Sequence, residues 1–281
     1  MNSYKKLIYP YAIWMGIFIL IPMLLIVLYA FTTQGNEVAT LNFTIDNFIK
    51  FFTDPIFISV LFQSLKIALI TTIVCLLIGY PIAYIIAQTD GLKHTILILL
   101  ITIPMWINML VRTYAWIGIL SDTGLINNIL GFFGLSPIKM MYTDFAVVLG
   151  MVYNFVPFMI LQIHSSLSKM DNSLLEASSD LGANRLQTFL KVTLPLSLPG
   201  VVSGITLVFL PAVSSFVIPK LLGGGQFVLI GNLIEQQFIT LGEWNFGSAI
   251  SLIMAAIIML SMYITRKVDT DNTMESGGGK I

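Results

Sequence analysis

Charged residues are scarce in this sequence: Asp, Glu, Lys and Arg together make up only 10% of its 281 residues. The formal net charge is zero, which argues against nucleic acid as a partner because such proteins carry a basic surface. A single cysteine, Cys75, excludes an intrachain disulfide. By contrast, 57% of the residues are hydrophobic and the mean hydropathy is +0.90, which predicts a membrane protein.

Six apolar runs account for this hydropathy, and each is near the ~20 residues with which a helix crosses a bilayer. They lie at about residues 8–31, 60–87, 95–118, 145–165, 196–218 and 248–265. None shows the alternation of a membrane β-strand, so the predicted fold is an all-α bundle of six transmembrane helices. Prolines inside the runs predict kinks rather than breaks, because neighbouring groups can satisfy the freed carbonyls.

The distribution of Lys and Arg predicts which side of the membrane each loop faces. With the N-terminus inside, nine of these residues lie on cytoplasmic segments and only Lys50, Lys139 and Lys220 lie on external loops. Positive charge is enriched on the cytoplasmic side, so both termini are predicted to be cytoplasmic. We expect a single transmembrane domain over 1–265, containing a cytoplasmic loop at 166–195, and a disordered cytoplasmic tail at 266–281.

Several kinds of catalytic and cofactor site are missing from the sequence. The glycine run 223–225 is not followed by the Lys and Ser or Thr of a phosphate-binding loop, so ATP is expected on another subunit. His94 and His164 have no Cys or carboxylate cluster at ligand spacing, so no metal site is predicted. The runs contain no Ser/His or paired Asp set, which excludes an intramembrane hydrolase. We therefore expect no bound cofactor.

The cytoplasmic loop carries the most specific pattern. Ser173, followed three residues later by Glu176, predicts a capping box at the start of a helix, and Gly182 predicts a left-handed cap at its end. A second amphipathic helix is predicted from about Leu186 until Pro195 breaks it before the fifth run. Because the pair carries acids as well as bases, it is better suited to a groove on a partner protein than to lipid headgroups.

The same loop closely resembles the EAA signature of importer permeases in the ATP-binding-cassette superfamily, which reads EAA, three residues, G, nine residues, I-x-L-P. Its spacing is kept, with Ser178 in place of the second alanine and Val192 in place of isoleucine. The resemblance implies that the loop is a coupling helix seated in a cleft on an ATPase subunit. The residues that it assigns to ATPase coupling are Ser173, Glu176, Ala177, Ser178, Gly182, Leu194 and Pro195.

Other segments look like the spermidine/putrescine permease subfamily, particularly its B-type component. They are residues 104–116, 124–127, 141–143, 152–153, 157–159, 221–225, 230–232 and 244–249. The resemblance implies a type I importer permease in the bacterial inner membrane with no enzymatic activity of its own. Its implied partners, besides membrane lipid, are a second permease subunit, two copies of an ATPase that uses ATP and Mg, and an external polyamine-binding protein.

A route for a flexible polycation needs carboxylates or aromatic faces at intervals, yet the apolar runs contain almost no acids. The polar and aromatic candidates near membrane depth are Trp106, Asn108, Tyr114, Tyr153 and Asn154. The alternative role of each is an interfacial anchor or a helix-packing residue. High-affinity recognition is therefore expected on the separate binding protein.

Arg112 opposes a cation route, because a fixed positive charge repels the cargo. We expect it to pair with Asp122 or Asp144, or to extend towards the membrane surface. Two alternatives stay open: a permease of the same superfamily for an anion or a metal complex, and a secondary transporter that uses an ion gradient. The spacing of the coupling loop argues against the secondary transporter.

Overall fold

The computed structural model describes residues 8–33, 42–225 and 227–276. Their helices are α1 (Ile8–Met15, continued by Gly16–Leu20 and Ile21–Ala30), α2 (Asp46–Thr53), α3 (Pro55–Ala87), α4 (Gly91–Trp106), α5 (Met109–Leu120), α6 (Leu125–Phe132), α7 (Asp144–Leu167), α8 (Asn172–Asp180), α9 (Arg185–Thr188, continued by Phe189–Thr193 and Leu194–Ser214), α10 (Val217–Leu222), α11 (Ile230–Glu235, continued by Gln236–Leu241) and α12 (Trp244–Ser276). In these ranges the only β-pairing is an isolated bridge between Thr32 and Phe43, which confirms the all-α fold.

Five helices are long and apolar enough to cross a membrane. The stretches concerned are Tyr9–Ala30, Pro55–Ala87, Asp144–Leu167, Arg185–Ser214 and Trp244–Tyr263. They confirm five of the six predicted spans. A sixth is present if Gly91–Trp106 and Met109–Phe132, which are bent by 94° against each other, form one span. The described residues therefore provide five or six spans.

The third predicted span, at 95–118, is broken, so the expectation of a kink is wrong there. Helix α4 stops just before Ile107, whose backbone is extended, and α5 begins after Asn108. Pro104 weakens the last turn of α4 because proline has no N–H and its ring crowds the carbonyl four residues earlier. Asn108 then starts α5, since its side-chain oxygen accepts a hydrogen bond of 2.8 Å from the amide of Leu110.

Pro195 does not end the second loop helix, contrary to the expectation from sequence. Arg185–Ser214 is continuous and passes through Pro195 after a wider, π-helical turn at Phe189–Thr193. In that turn the amide of Leu194 donates to the carbonyl of Phe189, five positions back along the chain. The changed hydrogen-bond register accommodates the proline ring, which would otherwise press on the carbonyl four residues earlier.

Helices α7 and α9 pack against each other at glycines. A Cβ added at Gly200 would stand 2.8 Å from the carbonyl oxygen of Gln162 and 3.2 Å from the Cα of Ile163. One turn further, a Cβ at Gly204 would stand 2.6 Å from the sulfur of Met159. Small residues allow membrane helices to approach closely, and the dispersion contacts of the close approach stabilise the pair. This packing fixes the two helices that flank the loop.

Replacing Gly200 by valine is expected to lower the thermal stability of the purified chain, because the branched side chain would push α9 away from the backbone of α7. Overpacking of this kind costs about 1–3 kcal/mol. Gly118→Val is the matched control, since a Cβ added at this helical glycine meets nothing within 4 Å. Thermal unfolding in detergent, followed by tryptophan fluorescence, compares the two; equal midpoints would contradict the account of close packing.

The chain divides into two compact units, one of residues 1–62 and 230–259 and the other of 63–229 and 260–281. The loop, its flanking helices and all of the predicted pathway residues belong to the second unit. Helix α12 continues to Ser276 and so includes 266–276, while the disorder of the tail stays a prediction. No glycine or proline occurs in that stretch to stop a helix. The remainder of the predicted tail, 277–281, lies outside the described residues.

Candidate functional site

The first loop helix, α8, begins two residues earlier than the sequence predicts. Its N-cap is Asp171, whose carboxylate accepts a hydrogen bond of 2.9 Å from the amide of Ser173. The capping box predicted for Ser173 and Glu176 is therefore wrong. Aspartate is a strong N-cap, and its charge suits the positive end of the helix dipole. Hydrogen bonds from the amide and the hydroxyl of Ser173 lower the pKa of Asp171, which extends the pH range of the ionised cap towards acid.

The end of α8 confirms the prediction made for Gly182, whose φ of 78° lies in the left-handed region. The amide of Gly182 donates to the carbonyl of Ser179 at 2.9 Å, and the amide of Ala183 donates to the carbonyl of Ser178 at 3.1 Å. These two bonds form a Schellman motif. A residue with a Cβ is disfavoured by about 1–2 kcal/mol in this conformation. Glycine is therefore the residue that best allows the chain to reverse between the two loop helices.

The capping box of the loop stands at the start of α9 instead of α8. The side-chain oxygen of Asn184 accepts from the amide of Gln187, and the side-chain oxygen of Gln187 accepts from the amide of Asn184, both at 2.9 Å. This is the reciprocal pattern of a capping box. The turn between the loop helices is thus fixed at both ends, by the Schellman motif on α8 and by the capping box on α9.

Ser178 connects the two loop helices directly. Its hydroxyl lies 2.9 Å from the hydroxyl oxygen of Thr188 and donates to the carbonyl of Leu175 at 2.9 Å. Only 8% of Ser178 is exposed. The alanine that the EAA signature has at this position could make neither bond. The departure from the signature therefore adds a hydrogen bond across the loop.

Removal of the bond between Ser178 and Thr188 is expected to lower the free energy of local unfolding of the loop by about 0.5–1.5 kcal/mol, the usual net value of one hydrogen bond. Thr188→Val and Ser178→Ala should each speed hydrogen exchange at the amides of α8. The double variant should exchange more slowly than the sum of the single effects predicts, because both changes remove the same bond. Ser179→Ala, at an exposed neighbour, is the control. Additive single effects would contradict the coupling.

Aromatic packing attaches the loop to α3. The ring of Phe189 meets the rings of Tyr80 and Tyr84 edge-on, at centroid distances of 5.7 and 5.6 Å. The hydroxyl of Tyr80 in turn lies 2.8 Å from the hydroxyl oxygen of Ser197 on α9. A groove of about 680 Å³ lies beside Tyr84 and Phe189, bordered by both loop helices. The loop is therefore anchored at the start of α9, and its α8 side borders an open groove.

The outer face of α8 is exposed. Glu176 and Ala177 are both exposed, and within the described residues the side chain of Glu176 has neither an ion pair nor a hydrogen bond. Leu181 is 89% exposed, and Leu174 and Leu186 are also exposed. An exposed apolar cluster with charges at its edge is typical of a surface that binds another protein.

The pathway residues predicted from the sequence do not form one cluster. Trp106 is 88% exposed and Tyr114 is 59% exposed. The side chain of Asn108 caps α5. In the part of the chain that the structure describes, none of these three has a hydrogen bond or ring contact with Tyr153 or Asn154.

Asn154 is buried on α7 and only half satisfied. Its side-chain nitrogen donates to the carbonyl of Gly150 at 2.7 Å. Its side-chain oxygen is also buried and has no hydrogen-bond partner among the described residues. With 2% of its surface exposed, Asn154 does not line an open passage in this conformation.

Tyr153 packs against α5 instead. Its ring meets that of Trp116 edge-on at a centroid distance of 5.5 Å. Arg112 lies one turn before Trp116 on the same face of α5. The sequence did not single out Trp116, although its spacing of four residues from Arg112 predicts a shared face.

Arg112 does not have the partner expected from the sequence. Asp144 pairs with Lys66 at 3.6 Å, and no ion pair joins Arg112 to Asp122 or Asp144 in the described residues. Two guanidinium nitrogens of Arg112, Nε and Nη1, are buried without a hydrogen-bond partner there. Because a buried unpaired donor is costly, Arg112 is a polar site that the described part of the chain leaves unsatisfied.

Known proteins resemble this chain along most of its length. The profile of the family described as "Binding-protein-dependent transport system inner membrane component" matches residues 2–271. The spermidine/putrescine transport system permease protein PotB of Escherichia coli is 38% identical over 254 residues, which cover 89% of this chain and 92% of that protein. PotB of Haemophilus influenzae is 39% identical over 254 residues, covering 89% and 88%.

A solved structure shares the architecture. In a bacterial transporter involved in the import of the acidic polysaccharide alginate, one chain matches with a TM-score of 0.74 and 19% identity, covering 95% of this chain and 97% of that one. Identity at this level shows the fold alone, which is that of a type I importer permease. The chain therefore belongs to the binding-protein-dependent transport system inner membrane component family, a family of multi-pass inner-membrane permeases rather than enzymes.

Proposed function

We propose that this chain is a permease subunit that carries polyamines such as spermidine and putrescine through the inner membrane in an ATP-driven importer. The observation that carries the proposal is the 38% identity, along 89% of the chain, to a permease named for spermidine/putrescine transport. The loop supports it, since the EAA spacing is kept and Gly182 has the left-handed conformation that closes α8.

The loop is proposed to be the contact with the ATPase. With both termini cytoplasmic, as the Lys and Arg distribution predicts, the loop faces the compartment that holds ATP. The exposed Glu176, Ala177 and Leu181 contact the cleft of the ATPase, while Ser178 and Gly182 hold the loop in shape. ATP and Mg are bound by the ATPase pair and not by this chain.

Two further partners complete the proposed importer. A second, related permease faces this one across the substrate route, and an external binding protein selects the polyamine. Closure of the ATPases on ATP moves the loop and shifts the bundle between outward-facing and inward-facing states. The two orphaned donors of Arg112 are then satisfied by acceptors on the second permease.

Uptake in right-side-out vesicles tests the proposal. The vesicles carry the complete complex, contain ATP or lack it, and receive labelled spermidine with the binding protein outside. Accumulation is expected only with ATP, and a protonophore should leave it unchanged. Accumulation without ATP that the protonophore abolishes would identify a secondary transporter instead. The purified chain alone is expected to hydrolyse no ATP, and turnover by a verified single-subunit preparation would overturn the division of labour.

An anion permease is the second candidate, and the buried, unpaired nitrogens of Arg112 favour it. The same vesicles distinguish the two. Excess unlabelled putrescine should compete with labelled spermidine, whereas excess dicarboxylate should not. ATP-dependent uptake of a labelled dicarboxylate, with no uptake of spermidine, would establish the anion permease.

A further inference from the structure

The two histidines of the chain meet although 70 residues separate them. His94 lies in the first turn of α4 and His164 in the last turn of α7. Their Nε2 atoms are 3.0 Å apart, and the rings have a centroid distance of 5.1 Å and an interplanar angle of 36°. The hydroxyl oxygen of Ser168 lies 3.1 Å from the same Nε2 of His164. The Nε2 atom of His94 and the hydroxyl oxygen of Ser168 thus both lie within hydrogen-bond distance of Nε2 of His164.

Two imidazole nitrogens at this distance cannot both carry a proton directed at the other. One of them presents a lone pair, and a single proton lies between the rings when nothing else does. A metal ion can take the place of that proton, because neutral imidazole is a good ligand for the later first-row divalent ions.

The distance suits a shared metal ion. A metal about 2.0–2.1 Å from each nitrogen separates the two by about 2.9 Å at an octahedral angle and by about 3.3–3.4 Å at a tetrahedral angle. The observed 3.0 Å lies between these values. The spacing of the two nitrogens is therefore compatible with one zinc or nickel ion bound by both rings.

We propose that His94 and His164 bind a divalent transition-metal ion, such as Zn²⁺ or Ni²⁺, with the hydroxyl of Ser168 and water as further ligands. Both rings are half-buried, so an ion from solution can reach them. Among the described residues no third His, Cys, Asp or Glu joins the pair. The site is therefore a reversible one and differs from the closed four-ligand sites that hold structural zinc.

The position gives the site a consequence for transport. His164 stands four residues before Ser168, where α7 ends and the chain enters the coupling loop. His94 belongs to α4, which leads to the break at Ile107. An ion held by both rings links these helices beside the loop, and metal binding should therefore slow any step in which they separate.

Metal binding is tested on the full chain in nanodiscs, purified without a histidine tag and labelled with ¹⁵N in its imidazoles. Because the chain has 2 histidines, both members of the pair are observed without assignment of other rings. Zn²⁺ is expected to shift both sets of resonances together and to bind once per chain. His94→Gln and His164→Gln should each weaken binding by more than the roughly 10–100-fold lost with an outer hydrogen-bond partner. Ser165→Ala, at an exposed neighbouring serine, is the control.

A shift of one ring alone, or equal Zn²⁺ affinity in the variant that lacks both histidines, would overturn the site and leave a histidine–histidine hydrogen bond. Uptake measures the consequence: Zn²⁺ should inhibit the complete complex reversibly, with EDTA restoring uptake, and should not inhibit the doubly substituted one. Equal inhibition of both would refute the link between α4 and α7. The binding measurement does not depend on the cargo, so it decides the site even if the chain carries something other than a polyamine.

Discussion

Replacing Gly182 by valine is expected to reduce ATP-dependent uptake roughly 5–30-fold, the effect of 1–2 kcal/mol on the population of one conformation. Gly182 has a φ of 78°, which a β-branched residue strongly disfavours. A Cβ there meets nothing within 4 Å, so the expected loss comes from the backbone and not from a clash within this chain. The Schellman motif would open, and α8 would no longer be held in the orientation that the cleft requires.

Gly182→Asn is the matched control, because asparagine tolerates the left-handed region far better than valine. We expect it to retain most of the uptake, with both variants inserted in the membrane at the level of the unchanged chain. If valine and asparagine lowered uptake equally, the size of the side chain and not the backbone conformation would be the cause. If valine had no effect, the loop would not depend on its left-handed cap.

Replacing Glu176 by arginine is expected to abolish uptake and to release the ATPase from the complex. The side chain is exposed and has no ion pair or hydrogen bond within the described residues, so the folded chain itself tolerates the change. In an interface, loss of one partner of a buried charge pair costs about 2–5 kcal/mol, and charge reversal adds repulsion. Co-purification of the ATPase and uptake by vesicles measure the two effects.

Glu176→Gln should retain part of the uptake, because it keeps the shape and one hydrogen-bond acceptor. Asp122→Arg is the matched charge reversal, at an exposed acid outside the coupling loop, and should leave both readouts unchanged. An assembled, active complex with arginine at position 176 would show that α8 is not the ATPase contact.

The features that the sequence predicted correctly are local. The five long spans follow from the length and position of the apolar runs, and the cap at Gly182 follows from the distinctive backbone freedom of glycine. The N-cap of α8 was missed because Asp171 and Ser173 are both good caps and lie two positions apart, so only the backbone decides between them. The effect of a proline on a helix also depends on the neighbouring residues. The helix ends shortly after Pro104, where Asn108 can start a new one. At Pro195 the helix continues, because a π-helical turn precedes the proline.

The features that the sequence could not supply depend on residues far apart. The salt bridge between Lys66 and Asp144 removes the partner expected for Arg112, and only the packing of α3 against α7 reveals it. In the same way, a search for metal ligands at short spacing passes over His94 and His164, which the fold brings to 3.0 Å. Sequence periodicity places a residue on a face, whereas the neighbouring helix determines what that face meets.

Helix α9 is continuous from the loop through the membrane-spanning segment, so it connects the two mechanically. Arg185–Ser214 is 30 residues long, or about 45 Å at 1.5 Å per residue, which exceeds the thickness of the hydrocarbon core. Had Pro195 ended a separate loop helix, a flexible joint would absorb movement at the loop. Because α9 is continuous, we expect a small tilt at its loop end to produce a larger sideways displacement at its far end. We expect α9 to pivot at the π-helical turn Phe189–Thr193, where Phe189 packs against α3.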